Sequence, residues 1–166
     1  MVSCKGGSLQ TINTMFNELI TNQILTIPIF AWAVAQFLKV VVVVQQKKRL
    51  DFRYFVISGG MPSSHSTFVS ALATAIAFSD GLGSVTFAIA VIFAFVVMYD
   101  AAGIRHSVGQ QAVVLNRLLR EIGERRPATV LGRDFRELIG HTPFQVLVGG
   151  LLGIGIATLW ISITGV

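Results

Sequence analysis

Gly59-Gly60-Met61-Pro62-Ser63-Ser64-His65-Ser66 reads as the approach to and first turn of a helix. The two glycines give a flexible approach, Pro62 suits a helix start, and Ser63 or Ser64 can cap it. An apolar run from Phe68 to Phe78 continues the helix. Serine hydroxyls, free N–H groups and a histidine in one first turn make a ready anion site. They also fit a plain helix cap with a surface histidine, so the other polar residues must decide between the two.

Of the 166 residues, 53% are hydrophobic and 13% charged, and the mean hydropathy is +0.71. A soluble domain carries about 25% charged residues, so the composition is that of a membrane protein. Residues 1–23 form a polar N-terminal segment, and residues 24–166 a single membrane domain. Lys5 is the one basic residue before position 24, and no long apolar core follows it at once, so a cleaved signal peptide is not expected. Thr11 to Ile20 fits a short helix at the membrane surface. The lone Cys4 excludes an internal disulfide framework.

Four apolar stretches follow. Ile24 to Val44 is long enough for a hydrocarbon core of ~30 Å. Lys39 lies near the end of this span, where its side chain can snorkel. Ser63 to Ser79 is short and rich in Ala, Ser and Thr. Its small residues Ala71 and Ala75, and Ala73 and Ala77, permit close packing, which places it inside the bundle. Ser84 to Ile104 is the third span. The segment from Ile104 to Gly123 is amphipathic and suits the membrane surface. Thr142 to Thr164 is the fourth span, with Pro143 in its first turn and a Gly149/Gly153 face that packs on the second span or on another subunit. The expected fold is all-α: four transmembrane helices and an amphipathic surface helix.

Eleven of the thirteen Lys and Arg residues fall in loops 45–62 and 104–142. The positive-inside rule puts both loops in the cytoplasm and both termini outside. Because basic residues flank apolar spans, they report topology and not nucleic-acid binding. The expected location is a bacterial cytoplasmic membrane or an organelle membrane. Tyr99 and Trp160 suit membrane-interface belts.

This topology brings His65, Asp100, Arg105 and His141 to one membrane depth. Two histidines at helix N-termini beside arginines suit phosphoryl transfer: one attacks phosphorus, the other protonates the leaving oxygen. Their side chains are then expected on the order of 5–8 Å apart, one phosphate group between them. His65, His141 and Asp100 are also acceptable metal ligands, but cationic surroundings favour an anion. No metal or cofactor is therefore expected.

Pro62-Ser63-Ser64-His65 resembles the Pro-Ser-x-His motif of the phosphatidic acid phosphatase type 2 and vanadium haloperoxidase superfamily. His141, Gln145 and Gly149 resemble its His-x-x-x-Asp-x-x-x-Gly motif. Gly60 to His65, Met98 to Arg105 and Gly140 to Gly153 are similar to the divergent membrane branch of that superfamily, a likeness running from about Phe37 to Leu159. The resemblance implies a helical bundle that dephosphorylates lipid phosphates without metal. His141 would be the nucleophile, His65 the general acid, and Ser63 and Ser64 phosphate ligands. Lys39 and Arg105 would be further substrate-binding cations. The superfamily's first motif, Lys, six residues, then Arg-Pro, is absent when counted from Lys39. Gln145 replaces the carboxylate partner of the nucleophile, and Asp100 is the available substitute. The expected partners are membrane lipids and a phosphate-bearing lipid or small phosphate. A homo-oligomer through Gly149/Gly153 is the other use of that face. The alternative function is a phosphate or headgroup binding or transport module that keeps the pocket without the chemistry.

Overall fold

The structure is a computed structural model and describes residues 6–47, 60–123 and 141–165. It contains α1 Gly6–Thr21, α2 Gln23–Lys47, α3 Ser64–Asp80, α4 Val85–Ala102, α5 Ile104–Gly123 and α6 Pro143–Thr164, with no strand among the described residues. Lipid imposes this outcome, because a helix satisfies its backbone polar groups within one segment. Gln23–Gln45, Val85–Leu118 and Pro143–Thr164 are long and apolar enough to cross a bilayer. The last turn of α2 runs on through Gln45 to Lys47, residues expected to lie in the first basic loop. Most of that loop and residues 124–140 of the second, including Arg49, Arg53, Arg125, Arg126, Arg133 and Arg136, lie outside the described residues.

The 17-residue α3 is the shortest of the four central helices, yet it packs against α2, α4 and α6. Small side chains make this possible. On α6, Gly149 lies against the Ser63 backbone and Gly153 against the Thr67 carbonyl, so closely that a Cβ at either would collide. The same four-residue step continues through Ala157 and Ile161 on α6, and through Ala71 and Ala75 on α3, all within one apolar cluster with Ile27 and Ala31. The expected small-residue face thus packs on the second span within this chain. Thr67 Oγ1 lies 3.0 Å from the Gly149 carbonyl and 2.9 Å from the Ser63 carbonyl, tying the two helices together.

On α2 the buried residues Ile27, Ala31, Ala35 and Lys39 also recur every four positions. Lys39 therefore faces inward, only 3% exposed, and does not snorkel. Trp160 packs on Phe30 with ring centroids 4.9 Å apart, so its ring is a contact between α6 and α2 as well as a candidate belt residue. Tyr99 is exposed, as a belt residue should be.

Two helices stand apart. α5 packs only on α4 among the described elements, and the helix breaks between them at Gly103, whose N–H bonds the Tyr99 carbonyl at 2.8 Å. α1 touches only α2, leaving Ile12, Met15, Phe16, Leu19 and Ile20 exposed along one face.

Candidate functional site

Ser63 caps α3, its hydroxyl accepting from the Ser66 N–H at 3.4 Å and from the Ser66 hydroxyl at 3.0 Å. The helix begins one residue later than Ser63, so Pro62 precedes the cap and does not occupy the first turn. Thr142 caps α6 and Pro143 is its first residue, as the sequence suggests. The two helix starts are joined, because the Ser63 N–H donates to the Gln145 carbonyl at 3.3 Å. The His141 N–H donates to the Ala101 carbonyl at 3.2 Å, which brings the end of α4 to the same place.

These contacts gather His65, His141, Gln145, Ser63, Ser64 and Lys39 at one end of the bundle. The His65 and His141 ring centroids are 6.4 Å apart, inside the expected gap, and meet edge to face. His141 is buried and His65 exposed. Lys39 lies under Gly60, whose backbone takes a φ of +85° that favours glycine. Asp100 is half-buried beside Ala101. Arg105 stands in the first turn of α5, and its side chain lies outside what is described. Among the described residues, no three His, Cys, Asp or Glu side chains come together as a metal would require, so Asp100 does not complete a ligand set with the histidines.

Gln145 does two things. It completes a capping box, its Oε1 accepting from the Thr142 N–H at 3.2 Å. The same oxygen lies 3.3 Å from His141 Nδ1. Since the capping box identifies that atom as an oxygen, Nδ1 must carry the proton and donate to it. The other ring nitrogen, Nε2, is then an unprotonated lone pair, buried without a hydrogen-bond partner among the described residues. Burial is the largest influence on this ring and lowers its pKa; the Gln145 bond opposes that, charge on Lys39 and His65 lowers it further, and the Gly60 backbone raises it. Ser64 is buried as well.

This end of the bundle therefore combines a buried lysine, a buried imidazole whose Nε2 has no hydrogen-bond partner among the described residues, and a helix N-terminus. Position along the span alone pointed to a snorkelling Lys39, and only the resemblance placed it at the site. The signal was present in the four-residue recurrence of Ile27, Ala31 and Ala35, which ends on Lys39. The capping role of Gln145 was legible too, in Thr142-x-x-Gln145.

An apolar helical bundle with a polar end of this kind defines an integral membrane protein. The chain belongs to the Divergent PAP2 family, whose model matches residues 20–156. It is similar to the "Uncharacterized membrane protein YuiD" of Bacillus subtilis (strain 168), with 39% identity over 146 residues, 82% of this chain and 92% of the relative. No solved structure matches it.

Proposed function

We propose that the protein is a phosphomonoesterase that removes phosphate from a lipid phosphate at the cytoplasmic face of the membrane. The observation that carries this reading is the free Nε2 of His141, held neutral by burial and by its Nδ1–H bond to Gln145. That lone pair attacks phosphorus, forming a P–N bond as the P–O bond to the lipid breaks. His65, across the gap, gives its proton to the leaving oxygen. Water then attacks the phosphohistidine, giving a proton to His65 and releasing phosphate from His141. Lys39, Ser64 and the first-turn amides of α3, with Ser63 as cap, hold the phosphate oxygens as charge develops. No metal takes part in this scheme.

The second reading keeps the pocket as a binding or transport site for phosphate or a headgroup. The neutral Gln145 favours it, because an amide cannot stabilise an imidazolium by charge. Release of inorganic phosphate from a short-chain lipid phosphate separates the two. Wild type should release it with chelator present, and His141→Ala should fall to background. Equal background release from both leaves the binding module.

A further inference from the structure

α3 and α6 run in the same direction from the polar end of the bundle. Gly149 lies on Ser63 and, four residues on along each helix, Gly153 lies on Thr67. The next steps, Ala71 and Ala75 on α3 and Ala157 and Ile161 on α6, are small or apolar as well. Interdigitating side chains lock two helices along their axes, and at Gly149 and Gly153 there are none. The glycine face therefore sets how closely the helices approach and only weakly where along each other they stop.

Two hydrogen bonds supply what that face lacks. The Ser63 N–H donates to the Gln145 carbonyl at 3.3 Å. One turn further, Thr67 Oγ1 lies 3.0 Å from the Gly149 carbonyl. Thr67 is fully buried, and its single hydroxyl proton is shared between Gly149 and the Ser63 carbonyl, 2.9 Å away. No water in the apolar body can replace this bond if the helices slide. A slide of two residues, ~3 Å at 1.5 Å per residue, puts the Gly149 carbonyl out of reach. His65 lies midway between Ser63 and Thr67, and His141 is joined to Gln145 through Nδ1. The same slide moves the two rings, whose centroids are 6.4 Å apart, past one another by the same distance.

We propose that Thr67 is a positioning residue: its hydroxyl fixes the register of α3 on α6 and so the separation of His65 from His141. The register follows from geometry alone; its consequence for phosphate release rests on the hydrolytic reading above. Thr67→Val keeps the branched shape and removes the hydroxyl. The Ser63 carbonyl still accepts from the Thr67 N–H at 3.0 Å, and the Gly149 carbonyl lies inside α6, so neither buried acceptor is stranded. The fold should survive while the register loosens, which separates positioning from stability.

The first test reads register without chemistry. In protein carrying Cys4→Ser, the paired substitutions His65→Cys and His141→Cys are cross-linked in membranes by a bis-methanethiosulfonate with an ethylene spacer. Adding Thr67→Val should slow cross-linking by about tenfold or more, because a short spacer cannot follow the separation. Thr67→Ser, which keeps the hydroxyl, should restore the rate. Thr74→Val is the matched control: that hydroxyl bonds the Ser70 carbonyl within α3 at 2.8 Å, and its loss should leave the rate unchanged. Thr67→Ser against Thr67→Ala isolates the same hydroxyl should the valine variant not fold. An equal rate in all variants would overturn the proposal, as would a lowered unfolding midpoint in detergent with an unchanged rate. The second test is phosphate release with both histidines in place. Thr67→Val should lower kcat by about 10- to 100-fold with KM nearly unchanged, the mark of misplaced reacting groups, and Thr67→Ser should recover it. A raised KM with unchanged kcat would overturn the positioning role. Cross-linking that follows the hydroxyl, in a protein that releases no phosphate in any variant, would keep the register role and remove the hydrolytic reading.

Discussion

The side-chain oxygen of Gln145 serves two donors, the Thr142 N–H and His141 Nδ1. Glutamate has the same reach, so Gln145→Glu keeps both bonds and adds a negative charge beside the ring. If the hydrolytic reading is right, phosphate release should rise by about 10²–10⁴, the range tied to a base and its charged orienter. Aspartate is a methylene shorter and should lose one of the two bonds, giving a smaller gain. The pH profile carries an independent sign. Burial lowers the His141 pKa, so its ring stays neutral until pH falls below the ordinary histidine value of about 6.5. Activity should rise as pH increases through that lower range and then level off on this limb. A carboxylate at 145 favours the imidazolium, so its acid limb should move to higher pH. An acid limb that stays put in Gln145→Glu would show that His141 does not set it.

Lys39 is the other residue with a separable consequence. It is buried with no carboxylate bonded to it among the described residues, an arrangement that costs stability unless an anion arrives. Lys39→Met keeps the length of the side chain and removes the charge. The variant should be at least as heat-stable as wild type in detergent. Its affinity for phosphate or vanadate should drop by about 10- to 100-fold, the loss of a charge-assisted hydrogen bond of roughly 1.5–3 kcal/mol. Reduced stability together with unchanged anion affinity would make Lys39 a packing residue.

Among the elements, α3 and α6 are bound by steps of four residues that only glycine permits at two places. A methyl group at Gly153 meets the Thr67 carbonyl, which belongs to the helix backbone and cannot swing aside. Gly153→Ala should destabilise the protein by about 1–3 kcal/mol, read as a lower unfolding midpoint in detergent. Gly155→Ala, where nothing lies within reach, is the matched control and should be neutral or slightly stabilising. These elements were largely legible in advance. Length, apolar content and the Gly149/Gly153 spacing specify the helices and their closest contact, because lipid leaves the backbone few alternatives. The inward side of α2 was less legible: the four-residue recurrence of Ile27, Ala31, Ala35 and Lys39 is one of several that a run of valines and alanines offers, and the burial of Ala31 and Ala35 selects it.

At the scale of the whole molecule, the question is how many helices cross. α3 has 17 residues, ~25 Å at 1.5 Å per residue, and is too short and too polar to be recognised alone. Its ends nevertheless lie level with those of its neighbours. Its start meets Gly149 near the beginning of α6, and its last turns line a cavity with Gln23, Ile24 and Ile161 at the far ends of α2 and α6. If α2 and α6 span the bilayer, α3 must span with them, and the count is four. With the basic loops inside, Lys48 and Arg120 then lie in the cytoplasm and the Gly81–Gly83 turn outside. Single cysteines at 48, 83 and 120, introduced after Cys4→Ser removes the native thiol, read this directly. An impermeant maleimide should label position 83 in intact cells, and positions 48 and 120 only after permeabilisation. The pairwise pattern is more informative than any single site. Positions 48 and 83 on the same side would mean that α3 does not cross, and positions 83 and 120 on the same side that α4 does not. Labelling of 48 and 120 from outside with 83 protected would retain four crossings and invert the orientation, placing the His65–His141 pocket on the outer face.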